Sequence, residues 1–149
     1  MASGILVGDE CFTEFQEFKI RNKYKWVMYR ISDDVKEIII DNHEPETLTV
    51  DEKKSMSEET ARARFKEFVD RVLETDTPKY CIVDVNCWKD EPNGGKRAVT
   101  KIALLNWCSD ALSIKKKMIF ASSKDALKKK LTEGYKELQI NDQSEVGLR

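Results

Sequence analysis

Ile114-Lys-Lys-Lys-Met118-Ile-Phe120-Ala-Ser-Ser-Lys124-Asp-Ala-Leu127-Lys-Lys-Lys130-Leu131 is the stretch on which the fold of this chain turns. Phe120, Leu127 and Leu131 recur at helical spacing and form one apolar stripe. Ile114, Met118 and Ala121 form another, displaced by roughly 120–140° at 100° per residue. One straight amphipathic helix presents a single stripe to a core, so the pattern admits two arrangements. Either a helix from Ala111 to Leu131 kinks near Ser122-Ser123, or a short strand Met118–Ala121 is followed by a new helix capped by Ser122-x-x-Asp125. Periodicity alone leaves both open.

The same stretch is lopsided in charge. Between Ile114 and Lys130 it holds seven lysines and one acid, Asp125, a charge of +6; the whole chain carries -1, so the remainder sums to -7. Helix surfaces are commonly charged, and lysine stems can cover apolar neighbours while their ammonium groups stay in water. Here acids for i,i+4 pairing are nearly absent, and flexible, apolar Met118 sits between the lysine clusters. That combination points to an anionic partner. An acidic protein surface fits better than nucleic acid, because the net charge is near zero and no nucleic-acid reading motif is present. Anionic lipid headgroups, phosphoinositides among them, are a second target for such a cluster.

Working outward, Gly8-Asp9 followed by Phe12, Phe15 and Phe18 predicts a helix over residues 9–21. Tyr24–Ser32 and Lys36–His43, rich in β-branched and aromatic residues around Asp33-Asp34, predict an antiparallel hairpin. Residues 44–56 are acidic, interrupted by Pro45, and read as a surface loop. Ser55-x-x-Glu58 then reads as a capping box for a helix that carries Ala61, Phe65, Phe68, Val69 and Val72 to about Glu74. Lys79–Trp88 and Arg97–Trp107 predict a second hairpin, with Pro92, Gly94 and Gly95 in its loop. Tyr135–Ile140 reads as a last edge strand and residues 141–149 as a polar tail. The order predicts the α/β or α+β class, a mostly antiparallel or mixed sheet of about five to six strands covered by helices.

At 149 residues, 40% hydrophobic and 36% charged, the chain is expected to form one domain over 1–149, monomeric, with a single core and a charged surface. No apolar run exceeds about five residues, so no membrane span is expected, and Met1-Ala-Ser-Gly-Ile lacks the features of a signal peptide. A cytoplasmic location follows. Cys11, Cys81, Cys87 and Cys108 show no Cys-x-x-Cys spacing and read as reduced core thiols. No metal site or cofactor is expected. His43, the only histidine, has no partner motif in the sequence to make it catalytic, and Gly94-Gly95 is a turn and not a phosphate loop.

Trp107-Cys-Ser-Asp110, Lys115-Lys-Lys117-Met118 and Ala121-Ser-Ser-Lys-Asp-Ala-Leu127 are similar to the Trp-x-Pro-Asp, Lys-x-Lys-Met and Ala-Ser-Ser-Lys-Asp-Ala-Leu elements of the ADF/cofilin family of actin-depolymerising proteins. The likeness continues through Met1-Ala-Ser3-Gly4, Lys23-Tyr24-Lys25 and Tyr80-Cys-Ile-Val-Asp84, and covers almost the whole chain. It implies a central mixed sheet with helices on both faces, a flexible N-terminus over 1–8, and one long kinked helix from about Ser113 to Leu131. It also implies a protein without covalent chemistry that binds monomeric and filamentous actin and promotes severing and depolymerisation of filaments in the actin cytoskeleton.

Carried over by position, Lys115, Lys117 and Met118 are the principal actin contacts, Ser123 and Lys124 continue that face, and Ser3 and Gly4 line its edge. Ser3 matches the regulatory phosphorylation position. Lys101, with Lys96 and Arg97 nearby, matches a weaker filament-side contact. This chain departs from the family in having Ser109 for a proline, which predicts a looser turn into the long helix, and Val99 at a commonly basic place. The chain ends at Ser144–Arg149, where the family's last helix begins, so stronger action on monomers than on filaments is expected. The alternatives are a filament-decorating module of the coactosin kind and a phosphoinositide-binding regulator.

Overall fold

The computed structural model describes residues 5–75, 77–131 and 135–140, with side chains except at positions 54, 86–89, 96–99 and 136–140. Ser3, Gly4 and the 141–149 tail lie outside the described residues, as do the side chains of Lys96, Arg97 and Val99.

In chain order the elements are β1 (Leu6–Val7), α1 (Asp9–Arg21), β2 (Tyr24–Ile31), β3 (Glu37–Pro45), α2 (Val50–Ser55), α3 (Glu58–Val72), β4 (Lys79–Asp90), β5 (Lys96–Trp107), α4 (Ile114–Leu131) and β6 (Lys136–Ile140). The six strands lie in the order β1-β3-β2-β4-β5-β6. The centre is antiparallel, whereas β1 runs parallel to β3 and β6 parallel to β5, which makes the sheet mixed.

Alternation along the strands sends apolar side chains to both faces. Val27, Tyr29, Ile82 and Leu104 meet Phe15 and Phe18 of α1 and Phe120, Leu127 and Leu131 of α4 on one side. Trp26, Met28, Val83 and Leu105 meet Phe68, Val69 and Val72 of α3 on the other. Two hydrophobic layers therefore sandwich the sheet, in the three-layer arrangement expected.

The α1 span and both hairpins follow the spacing that predicts them, with β4 and β5 extending slightly further toward their shared loop. Asn22 ends α1 in the left-handed conformation (φ 55°), which an asparagine tolerates. Two readings are corrected. Residues 44–56 are not all loop, because 50–55 form α2. The capping box belongs to this helix: Glu52 N–H donates to Thr49 Oγ1 at 3.1 Å, and Thr49 N–H donates back to the Glu52 carboxylate at 3.0 Å. Ser57, not Ser55, caps α3, accepting from Thr60 N–H at 3.1 Å.

Six residues are too few for a helix to persist alone. What holds α2 is Lys53, only 7% exposed, whose ammonium donates to the Asp84 carboxylate and the Asn22 amide oxygen at 2.5 Å each. Glu46 lies 3.5 Å from the same ammonium and accepts two hydrogen bonds from Arg64 and one each from Thr47 N–H and Leu48 N–H. The buried charges are thus paired and hydrogen-bonded, the condition under which burial is tolerable.

The two-stripe puzzle resolves as one uninterrupted helix over Ile114–Leu131; the alternative strand at 118–121 does not form. Its buried residues are Phe120, Ser123, Leu127 and Leu131, in steps of three and four, which trace one face toward the sheet. The Ile114–Met118–Ala121 stripe has no partner within the described residues and faces outward.

Candidate functional site

The N-terminal half of α4 projects from a well-defined start. Ser113 caps it, its Oγ accepting from Lys116 N–H at 3.2 Å and its carbonyl from Lys117 N–H at 3.0 Å. The preceding turn, where Ser109 stands in place of the family's proline, is hydrogen-bonded. Ser109 Oγ accepts from Ala111 N–H at 3.2 Å and Ser109 O from Leu112 N–H at 3.2 Å, so hydrogen bonds close this turn where the family has a rigid ring.

From below, α4 is held by Tyr80, which stacks on Phe120 at 4.2 Å between ring centroids and donates its hydroxyl to Phe120 O at 2.5 Å. Burial raises the Tyr80 hydroxyl pKa above its usual range, so it remains a donor. About 160° and 120° around the helix from Phe120, Met118 is 64% exposed and Ile114 is 76% exposed. They stand four residues apart, neighbours on one surface.

Lys115 and Lys116 are exposed and Lys117 half-buried beside this apolar pair, and none of the three forms an ion pair with a described carboxylate. Lys117 has one effect inward. Burial raises the Cys108 thiol above its ordinary pKa, and the lysine charge offsets part of that rise. The other end of the helix is different, because Lys130 Nζ lies 2.6 Å from Asp9 of α1 and holds that carboxyl below its ordinary pKa through the hydrogen bond and the charge. The first turns thus hold three lysines that no described carboxylate pairs.

Not all of the expected face is brought together. Lys115, Lys117 and Met118 adjoin one another, and Lys124 is half-buried further along. Ser123 points inward instead: it is fully buried and its Oγ donates to Ile119 O at 2.7 Å. A small hydroxyl satisfied by its own helix can pack beneath α4, which removes Ser123 from the exposed face. Ile114 and 72%-exposed Leu6 of β1, a strand that lies against α4, are exposed apolar residues that reasoning about contacts overlooked. The available signal for Ile114 was its place in the Met118 stripe.

Lys101 is half-buried in β5, opposite Val85, while Lys96 and Arg97 pair in register with Asp90 and Lys89 at the far end of the hairpin. At about 3.3 Å per residue, Lys96 is roughly 35 Å along the strand from Trp107, which leads toward α4. His43 has a partner after all: its Nδ1 is 2.9 Å from Glu14, which also accepts from the Tyr24 hydroxyl at 3.1 Å, and its ring stacks on Tyr24. Cys11, Cys81 and Cys108 are buried free thiols, and burial first among other causes pushes Cys11 up to about 12. Among the described residues no cluster of metal-ligating side chains occurs, and no helix is long and apolar enough to cross a membrane.

Comparison with known proteins bears on the whole of this architecture. Residues 4–148 match the family described as Cofilin/tropomyosin-type actin-binding protein. Cofilin-1A of Dictyostelium discoideum is 36% identical over 146 residues, covering 98% of this chain and 91% of that protein. Cofilin of Gibberella zeae is 35% identical over 144 residues, covering 97% and 88%. Among solved structures, the ADF-like UNC-60A protein of Caenorhabditis elegans superposes with a TM-score of 0.73 at 26% identity, covering 97% of this chain and 90% of that one. With its residues matched almost from end to end, the chain belongs to the cofilin/tropomyosin-type actin-binding protein family.

Proposed function

We propose that this protein binds actin monomers and filaments through the outward face of the first turns of α4 and promotes filament severing and depolymerisation. The observation that carries the reading is Met118, exposed beside Ile114 and flanked by lysines that no described carboxylate neutralises, in a chain of an actin-binding family. Met118 and Ile114 enter an apolar hollow on actin while Lys115 and Lys117 meet acids around its rim. Lys124 extends the contact, Ser3 and Gly4 border it, and Lys96, Arg97 and Lys101 supply the weaker filament contact. No bond is made or broken. A ligand that prefers one filament conformation shifts the filament toward it by no more than its differential affinity.

Phosphate on Ser3 adds a charge of about -1.5 to -2 beside an interface that uses positive charge, and weakens docking through repulsion and desolvation. The protein acts in the cytoplasm on the actin cytoskeleton, and Lys115, Lys116 and Lys117, which no described carboxylate pairs, also attract phosphoinositide headgroups, which would compete with actin for the same cations.

Sedimentation of filaments tests the reading. Loss of pelletable actin is the expected result. Co-pelleting without loss would favour filament decoration, and neither effect would rule out actin as the partner of this face. The double variant Lys115→Glu/Lys117→Glu is expected to keep its fold by circular dichroism and lose about 1–4 kcal/mol of binding. Unchanged binding would move the site elsewhere.

A further inference from the structure

We infer that Ser113 is a phosphorylation site whose phosphate neutralises the docking face, an inference that rests on the docking role given to that face above. The serine is exposed at a junction: residues 108–113 connect β5 to α4, and the helix begins at Ile114. Helix ends fray, so the first turn opens readily into the extended form in which a protein kinase holds its substrate. Lys115, Lys116 and Lys117 follow at once, a signal for a kinase whose groove is lined by acids. Ser123 of the same helix is fully buried and bound to Ile119 O, which keeps it from a kinase while the chain is folded.

The donor is a nucleoside triphosphate held by the kinase. Ser113 Oγ forms a bond to the γ-phosphorus as the bond from that phosphorus to the bridging oxygen breaks; the hydroxyl proton passes to a carboxylate of the kinase, and the nucleoside diphosphate leaves. A phosphatase reverses the modification with water, which restores the hydroxyl and releases inorganic phosphate.

Charge decides the consequence. Ser113 stands three and four residues before Lys116 and Lys117, so the three side chains are neighbours on one side of the helix. The phosphate sets about -1.5 to -2 against the positive charges of Lys115, Lys116 and Lys117, none of which meets a described carboxylate, and most of the local attraction for an acidic surface is lost. The fold is spared by the same event. Ser113 Oγ already accepts from Lys116 N–H at 3.2 Å, and phosphate oxygens take over that role; α4, unlike α1, α2 and α3, has no acid in its first turn to repel them. Asp110, exposed three residues upstream, is the nearest carboxylate in sequence. Met118 and Ile114 stay apolar and exposed, so the anchor remains while the cations around it are cancelled.

The test compares the full chain unmodified, with phosphoserine incorporated at position 113 during translation, and as Ser113→Asn and Ser113→Asp. Asparagine and aspartate cap a helix about as well as serine, so the charge varies while the cap is kept. Affinity for actin monomers is expected to be unchanged in Ser113→Asn, several-fold weaker in Ser113→Asp and about tenfold or more weaker with phosphoserine. The differences should narrow at about 0.5 M salt, and Tm should equal or exceed that of the unmodified chain. Treatment of the unmodified chain with ATP and protein kinase C, an enzyme selective for basic surroundings, is expected to place phosphate on Ser113, located by peptide mass spectrometry. Binding by Ser113→Asn as weak as that of the phosphorylated form, undiminished binding with phosphoserine, a lowered Tm, or no phosphate on Ser113 after kinase treatment would each overturn the inference. Unphosphorylated Lys115→Glu/Lys117→Glu separates the underlying reading: if it binds as tightly as the wild type, the docking role fails and the switch with it; if it binds weakly while the phosphoserine form does not, only the switch fails.

Discussion

Val35 holds a φ of 58° in the turn between β2 and β3, a conformation that places a β-branched side chain against its own backbone. The turn is held by neighbours: Ser32 Oγ accepts from Lys36 N–H and Glu37 N–H, and Asp34 accepts from Ser32 Oγ and Lys36 N–H. Because Val35 is 48% exposed, little burial is lost on replacing it. Val35→Asn is expected to stabilise the protein by about 1 kcal/mol and raise Tm by roughly 2–4 °C, measured by thermal unfolding. A lower Tm would mean that the valine makes contacts worth more than its strain. Ser123 shows the converse at the same scale. Its residue type is compatible with either side of a helix, and only the bond to Ile119 O and the packing beneath α4 turn it inward.

At the scale of elements, α2 exists because a charge network reaches into it. Thr49 and Glu52 start the helix, yet its docking depends on Lys53, Asp84, Asn22, Glu46 and Arg64, drawn from five separated parts of the chain. Burial pushes the Glu46 carboxyl up, but Arg64, the Leu48 N–H and Lys53 together hold it below the ordinary value of 4.5. A lowered carboxyl contributes stability that is complete above pH 4.5 and fades as pH falls through the folded value. Asp84 has the opposite sense, since burial outweighs Lys53 and raises it, so protonation on acidification relieves a cost carried at neutral pH. Glu46→Gln is expected to cost about 3 kcal/mol at neutral pH, with a smaller difference from wild type at about pH 3, both read from urea unfolding. An equal deficit at both pH values would show that the charge of Glu46 is not what α2 and α3 depend on.

Across the whole molecule, the charge of the 114–130 stretch, +6, is set against -7 on the remainder. Part of this is cancelled locally, as between Lys130 and Asp9, but the first turns of α4 keep theirs. An asymmetric charge distribution orients a protein before contact with an acidic partner and speeds its capture, an effect that salt screens over about 8–10 Å at physiological ionic strength. The association rate with actin monomers is therefore expected to fall several-fold as salt rises from about 0.02 to 0.2 M, while dissociation changes less. Stopped-flow fluorescence would read both rates. In Lys115→Glu/Lys117→Glu the salt dependence of association should flatten or reverse; a wild-type rate indifferent to salt would remove steering from the account of docking.

Local patterns in the sequence determined the span of α1, both hairpins, the α/β or α+β class and the lysine-rich face, because each rests on periodicity, turn chemistry or charge within a few residues of itself, whereas helices on both faces of the sheet were implied by the family resemblance. The resemblance to actin-binding relatives was also legible in contiguous motifs. Tertiary structure alone decided which stripe of 114–131 is core, that α2 forms, that Ser123 is hidden, and that Lys130 is tethered while Lys115 and Lys117 meet no described carboxylate. A stripe is buried only if a sheet lies beneath it, and Lys53 anchors a helix only because Asp84, 31 residues away, is brought to its ammonium. Those outcomes depend on contacts between distant parts of the chain, which no local pattern contains.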